Sequence, residues 1–132
     1  MNILALDFGT KHIGTAWADT GLVGVIVPFG VIQVEGKAAW PKVCRELGGL
    51  LMRERIDRLV VGLPVGLQGQ ENANTVRVRE FVKLLQDFTA VPVEFYDERF
   101  SSQAADKLGG DVSRDEKSAV VILEGYLEKN KL

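Results

Sequence analysis

Three acids carry the chemistry that this sequence can support: Asp7 in "ALDFGTKHIGTAWAD", Glu98 in "VPVEFYDERF" and Asp115 in "RDEKSAVVILEGYL". Asp7 ends one apolar run and Glu98 ends another, the pattern of carboxylates at the carboxyl ends of buried strands. In sheets built from parallel strands those ends gather on one edge, where ligands bind. Asp115 begins a stripe at helical spacing, positions 115, 118, 119, 122 and 126, which reads Asp, Ser, Ala, Ile and Tyr. Its acid therefore sits on the inward face of a helix, and the small residues beside it permit a close approach to the sheet. Singly, each acid has a structural role open to it: a turn cap for Asp7, an ion pair with Arg99 for Glu98, a favourable helix start for Asp115. Gathered on one edge, the three repel one another, and oxygen ligation of Mg²⁺ or Mn²⁺ relieves that repulsion. Such an ion keeps open positions for water and a phosphodiester.

Basic residues flank the acids. Lys11 and His12 occupy the turn after Asp7, Arg99 adjoins Glu98, Arg77 and Arg79 lie in a helical segment, and Arg114 and Lys117 flank Asp115. These are candidate phosphate contacts, Lys11 and Arg99 most tightly placed; scattered solvated charge is the competing reading for the others. With His12 the only histidine, zinc clusters and Ser/His/Asp chemistry lack material. The segment "VGLPVGLQG" has neither the Lys-Ser/Thr of a P-loop nor dinucleotide-fingerprint spacing, and reads as a loop at the active edge.

The elements that must position these residues follow from periodicity. Residues 2–7, 13–18 and 24–34 favour strands joined by short turns, an antiparallel meander whose third strand, with Pro28 and Gly30, belongs at an edge or bulge. Residues 38–54 have helical spacing, with Gly48 and Gly49 either weakening the helix or admitting close packing; 57–64 is a buried strand, 72–88 a helix and 91–100 another strand. A short helix over 101–108, a "GGD" break and a helix over 114–129 complete the order βββ-α-β-α-β-α-α. The strand–helix units require parallel crossovers, so the expected fold is α/β, a mixed five-stranded sheet flanked by helices on both faces.

The sequence has 132 residues, 46% hydrophobic and 26% charged, which fits a single domain over 1–132. Its net charge of −2 confines any nucleic-acid surface to a local patch. One cysteine, Cys44, precludes an intramolecular disulfide. Neither a membrane span nor a signal-like start is present, so a cytoplasmic location is expected.

Four segments, "LDFGTKHIGTAWAD", "VVGLPVGLQGQEN", "YDERFSSQAA" and "DEKSAVVILEGYL", together resemble the YqgF (RuvX) family of RNase H-like nucleases, also described as Holliday junction resolvase-like. The first alone also resembles the phosphate turn of actin-like and sugar kinases, but those need a second lobe that 132 residues do not supply. The resemblance implies an RNase H-like fold with Asp7, Glu98 and Asp115 as metal-binding catalytic acids, and a hydrolase acting in pre-16S rRNA processing and ribosome biogenesis. It implies nucleic-acid partners, structured RNA such as pre-rRNA or branched DNA, with ribosomal particles as a further partner and a monomer or homodimer as the working unit. The segment "LGGDVSRDEK" is shorter than the family's, which leaves Asp111 and Glu116 as alternatives to Asp115. A nucleic-acid or ribosome-binding module without catalysis is the contrasting reading; it predicts salt-sensitive binding with no metal-dependent cleavage.

Overall fold

The computed structural model describes residues 1–9, 11–22, 24–97 and 114–132. Five strands form one sheet: β1 (Asn2–Phe8), β2 (His12–Asp19), β3 (Ile26–Gln33), β4 (Arg58–Leu63) and β5 (Val93–Asp97). Their spatial order is β3-β2-β1-β4-β5. The meander β1–β2–β3 is antiparallel, and β4 and β5 join parallel to β1 through helical crossovers. This is the mixed sheet expected from the element order.

Alternation along β1 divides the core into two layers. Leu4, Leu6 and Phe8 face α1 (Trp40–Arg53) and α2 (Ala73–Leu85), whereas Ile3 and Ala5 face α3 (Arg114–Lys129). On the first face Phe8, Trp40 and Phe81 form a cluster, with ring centroids 4.6–5.7 Å apart. On the second, Ala119, Ile122, Leu123 and Tyr126 of α3 are buried against Ala16, Ala18 and Val60. The stripe expected for this helix is present, and it is wider: Val120 and Val121 are buried too.

Several boundaries shift for local reasons. The third strand starts at Ile26, because Gly24 at φ 80° and a turn bond from Val25 N to Leu22 O precede it. It lies at the sheet edge and carries the expected irregularity, a register shift opposite Thr15 and Ala16 with Gly30 at φ 120°. The helix expected from residue 38 begins as a 3₁₀ turn over Lys37–Ala39, and α1 follows with proline in its first turn. The two α1 glycines have different roles. A Cβ on Gly48 would lie 2.6 Å from the Phe88 carbonyl oxygen, so this position needs glycine for packing, whereas Gly49 faces open space.

The helix expected over 72–88 is α2, Ala73–Leu85, because Asn72 is its cap: Asn72 Oδ1 accepts from the amides of Asn74 and Thr75 at 2.9 and 3.1 Å. The Thr75 hydroxyl donates to the Pro64 carbonyl, tying this cap to the end of β4. The last helix spans 114–129 as expected. The helix expected over 101–108 and the "GGD" break lie outside the described residues.

Candidate metal and nucleic-acid site

Asp7 is the penultimate residue of β1 and, by alternation with Ile3 and Ala5, lies on the α3 face, half-buried. Its cross-strand partner is Gly14 of β2. Directly above Gly14 runs the first turn of α3: a Cβ on Gly14 would lie 1.9 Å from the Asp115 carbonyl oxygen and 2.9 Å from Asp115 Cβ. Only a residue without a side chain allows this approach. The glycine thus brings Asp115, also half-buried, beside the strand pair that carries Asp7. No hydrogen bond or ion pair ties either carboxylate to another described residue.

Glu98, Arg99 and Asp111 lie outside the described residues. Among the described residues no three His, Cys, Asp or Glu side chains converge on one point. The neighbours of the two acids are distinguished by direction. Glu116 turns toward the edge strand, where its Oε2 accepts from the Gly30 amide at 3.0 Å. Asp97 follows Tyr96 in β5; Tyr96 packs on the α3 face, so alternation places Asp97 on the opposite one.

The expected basic residues are distributed around the carboxyl edge. Lys11 and His12 are exposed in the β1–β2 hairpin, which closes through a 2.8 Å bond from the Gly9 amide to the His12 carbonyl. They line a cavity of about 470 Å³ with Gln33, Val34, Glu35 and Gly36. Arg77 is half-buried on the other side of the sheet, in a groove between α1 and α2, and Arg79 is engaged by Glu71 at 2.8 Å. Lys117 is half-buried and Arg114 exposed in the first turn of α3. The loop after β4 is ordered by bonds from the Gly66 amide to the Gln70 carbonyl (2.8 Å) and the Gly69 amide to the Gly66 carbonyl (2.9 Å), with Leu67 93% exposed at its tip.

Two groups escaped the sequence reading. One is the aromatic wall of the groove, where Trp40 belongs to the helical spacing over 38–54 and Phe8 to the turn after the strand expected over 2–7; the available signal was a Gly-Lys pair just ahead of a tryptophan at a helix start. The other is a polar cluster at the far end of α3, where the Tyr126 hydroxyl donates to Glu94 and accepts from Arg58 Nη1 (2.7 Å). Burial pushes the Tyr126 phenol above its ordinary range and Glu94 adds to this, while Arg58 opposes it.

The family model described as RuvX: Holliday junction resolvase matches residues 1–129. A relative from Dictyoglomus thermophilum, named pre-16S rRNA nuclease, is 30% identical over 100% of this chain and 99% of its own length. One from Bordetella pertussis with the same name is 39% identical over 96% and 92%. Among solved structures, Thermus thermophilus RuvC superposes with a TM-score of 0.68 at 15% identity, covering 99% of this chain and 97% of its own. RuvC in complex with Holliday junction substrate gives 0.70 at 16%, covering 98% and 96%. At such identities the likeness establishes the fold, which is RNase H-like. Fold, sequence match and the order of the acid-bearing segments agree, and the chain belongs to the RuvX family.

Proposed function

We propose that this chain is a metal-dependent nuclease that hydrolyses phosphodiester bonds, acting in the cytoplasm in 5′-end processing of pre-16S rRNA. The observation that carries the reading is the contact of Asp115 with Gly14, directly across from Asp7. That contact sets Asp115 against the strand pair that carries Asp7, and neither carboxylate has an ion-pair partner among the described residues. The donor set fits Mg²⁺ or Mn²⁺: hard carboxylate oxygens, half-buried. Asp7 and Asp115 would hold the ion, together with Glu98, the acid that follows β5.

Bound there, the cation supplies activation of a water nucleophile and charge stabilisation at the leaving oxygen. The chain's own residues do the rest. Gly14 sets how closely the first turn of α3 approaches the strand that pairs with Asp7, and half-burial of the two acids limits competing water. Lys11, His12, Arg77, Arg99 and Lys117 attract and orient phosphates, which a chain of net charge −2 can do only where cations are local.

The family's description as a Holliday junction resolvase supports branched DNA as a second substrate class. Symmetric cutting of a junction needs two sites related by a two-fold axis, so a homodimer goes with that reading and a monomer with RNA processing. The test is cleavage of structured RNA, single-stranded RNA and junction DNA with Mn²⁺ and with chelator. Cleavage that requires the cation and falls at least about a hundredfold in Asp7→Asn and in Asp115→Asn is expected. Wild-type rates in Asp7→Asn would sink the assignment.

A further inference from the structure

At the carboxyl end of β1 consecutive residues point to opposite faces: Asp7 toward α3, Phe8 toward α1 and α2. On the Phe8 side lies a groove of about 610 Å³, within the range of small-ligand sites. Its wall is formed by the edges of Phe8 and Trp40, 9% and 5% exposed, and by Val76 of α2, 49% exposed. Its rim is charged. Lys37 stands 5.3 Å from the centre of the Trp40 ring and pairs with Glu80 at 2.9 Å, bridging the groove from the 3₁₀ turn to α2. Arg77 Nη1 donates only a long 3.3 Å bond, to Asn74 Oδ1, and meets no acid among the described residues. Gly36 lines both this groove and the cavity that holds Lys11, so the two adjoin, one beside the hairpin that follows Asp7 and the other against Arg77.

We propose that this groove is a subsite for the base of an unpaired nucleotide flanking the cleaved phosphodiester, with Arg77, Lys37 and Lys11 along its backbone. The proposal rests on the nuclease reading and adds a substrate requirement, a single-stranded stretch beside the scissile bond. An apolar wall with cations at its rim matches a base with its phosphates, since any base has an apolar face and its backbone is anionic. A peptide of acidic and apolar character could match the charge, but the groove adjoins the cavity of the hairpin that follows Asp7, where the strand cut by the proposed nuclease would pass. Asp7 and Phe8 are consecutive in β1, so the acid and the groove wall sit at the same end of one strand, on its two faces. A phosphate entering at Lys37 competes with Glu80 for its ammonium, opening the bridge over the groove.

The test uses the full chain carrying Asp7→Asn and Trp17→Phe, so that nothing is cleaved and Trp40 is the remaining tryptophan of the two. A single-stranded RNA of about ten nucleotides and a blunt RNA duplex of equal length are titrated in chelator, by anisotropy and by Trp40 emission. The single strand is expected to quench Trp40 and the duplex to leave it unchanged. Arg77→Gln should weaken the single strand about tenfold and flatten its log–log salt slope by about 0.7, one phosphate contact, with less than about a twofold effect on the duplex. Val76→Asp, at a half-exposed position that does not threaten folding, should abolish the quench. Unchanged Trp40 emission at saturation, or equal losses for both RNAs, overturns the groove assignment and leaves the metal site to its own cleavage test. Binding of neither RNA overturns the RNA-processing reading and the groove with it.

Discussion

Gly14 sets the distance between α3 and the acid end of β1. Replacing it by alanine pushes a methyl group into the Asp115 backbone, which cannot move like the end of a flexible side chain. Gly14→Ala is therefore expected to destabilise the fold by about 1–3 kcal/mol and to lower cleavage by displacing Asp115. Gly49→Ala, in the open at the middle of α1, should instead stabilise by about 0.5–1 kcal/mol, because alanine is the better helix former. Urea unfolding of the two variants, with a cleavage assay, checks both signs. The places of Asp7 at the end of β1 and of Asp115 in the first turn of α3 were legible in the sequence because strand and helix ends are local facts. Gly14 was not: it reads as one more small residue in "IGTAWA", and its role comes from a helix a hundred residues further along the chain. Glu116 shows the same limit, since the short segment before the last helix left it a rival to Asp115, and the bond to the Gly30 amide is what turns it toward the edge strand.

At the scale of elements, α3 is held at both ends by different means. Its first turn is fixed by Gly14 and by Glu116 on the edge strand, and its last turns by Tyr126 between Arg58 and Glu94. Asp115 and Tyr126 are about 16 Å apart along the axis at 1.5 Å per residue. Tyr126→Phe should therefore cost about 1–3 kcal/mol in thermal or denaturant unfolding and leave the cleavage rate per folded molecule unchanged. A fall in that rate would mean that the far clasp also positions the acid. The sequence located this helix well because its apolar run is long and periodic. It misplaced the starts of β3 and α1 by about two residues, where Gly24, Gly36 and Pro41 decide the local path and periodicity is silent. It could not foresee the polar cluster, since Arg58, Glu94 and Tyr126 meet only when two parallel strands and a helix are assembled.

For the whole molecule, one sheet separates two unequal layers: an aromatic, two-helix side that carries the groove and a small-residue, one-helix side that carries the acids. Global unfolding exposes both, and Cys44 of α1 reports it. Burial pushes its thiol from 9.0 up to about 11, and nearby Asp87 adds to the rise. The folded chain keeps this proton where the unfolded chain has lost it, so the contribution is complete below about pH 9 and is lost as pH rises toward 11. Unfolding free energy should therefore fall over that window more steeply in wild type than in Cys44→Ala. The same burial should protect the folded thiol from alkylation at pH 8, and thiol labelling against urea measures this. The edge of the sheet has a consequence of another kind. Of the eight residues of β3, Pro28 has no backbone donor and that of Gly30 is already taken by Glu116, while the register shift bends the strand. A neighbouring molecule in a crowded cell finds no regular ladder there to extend, so Glu116, the residue after Asp115, also blunts this edge against strand-to-strand aggregation.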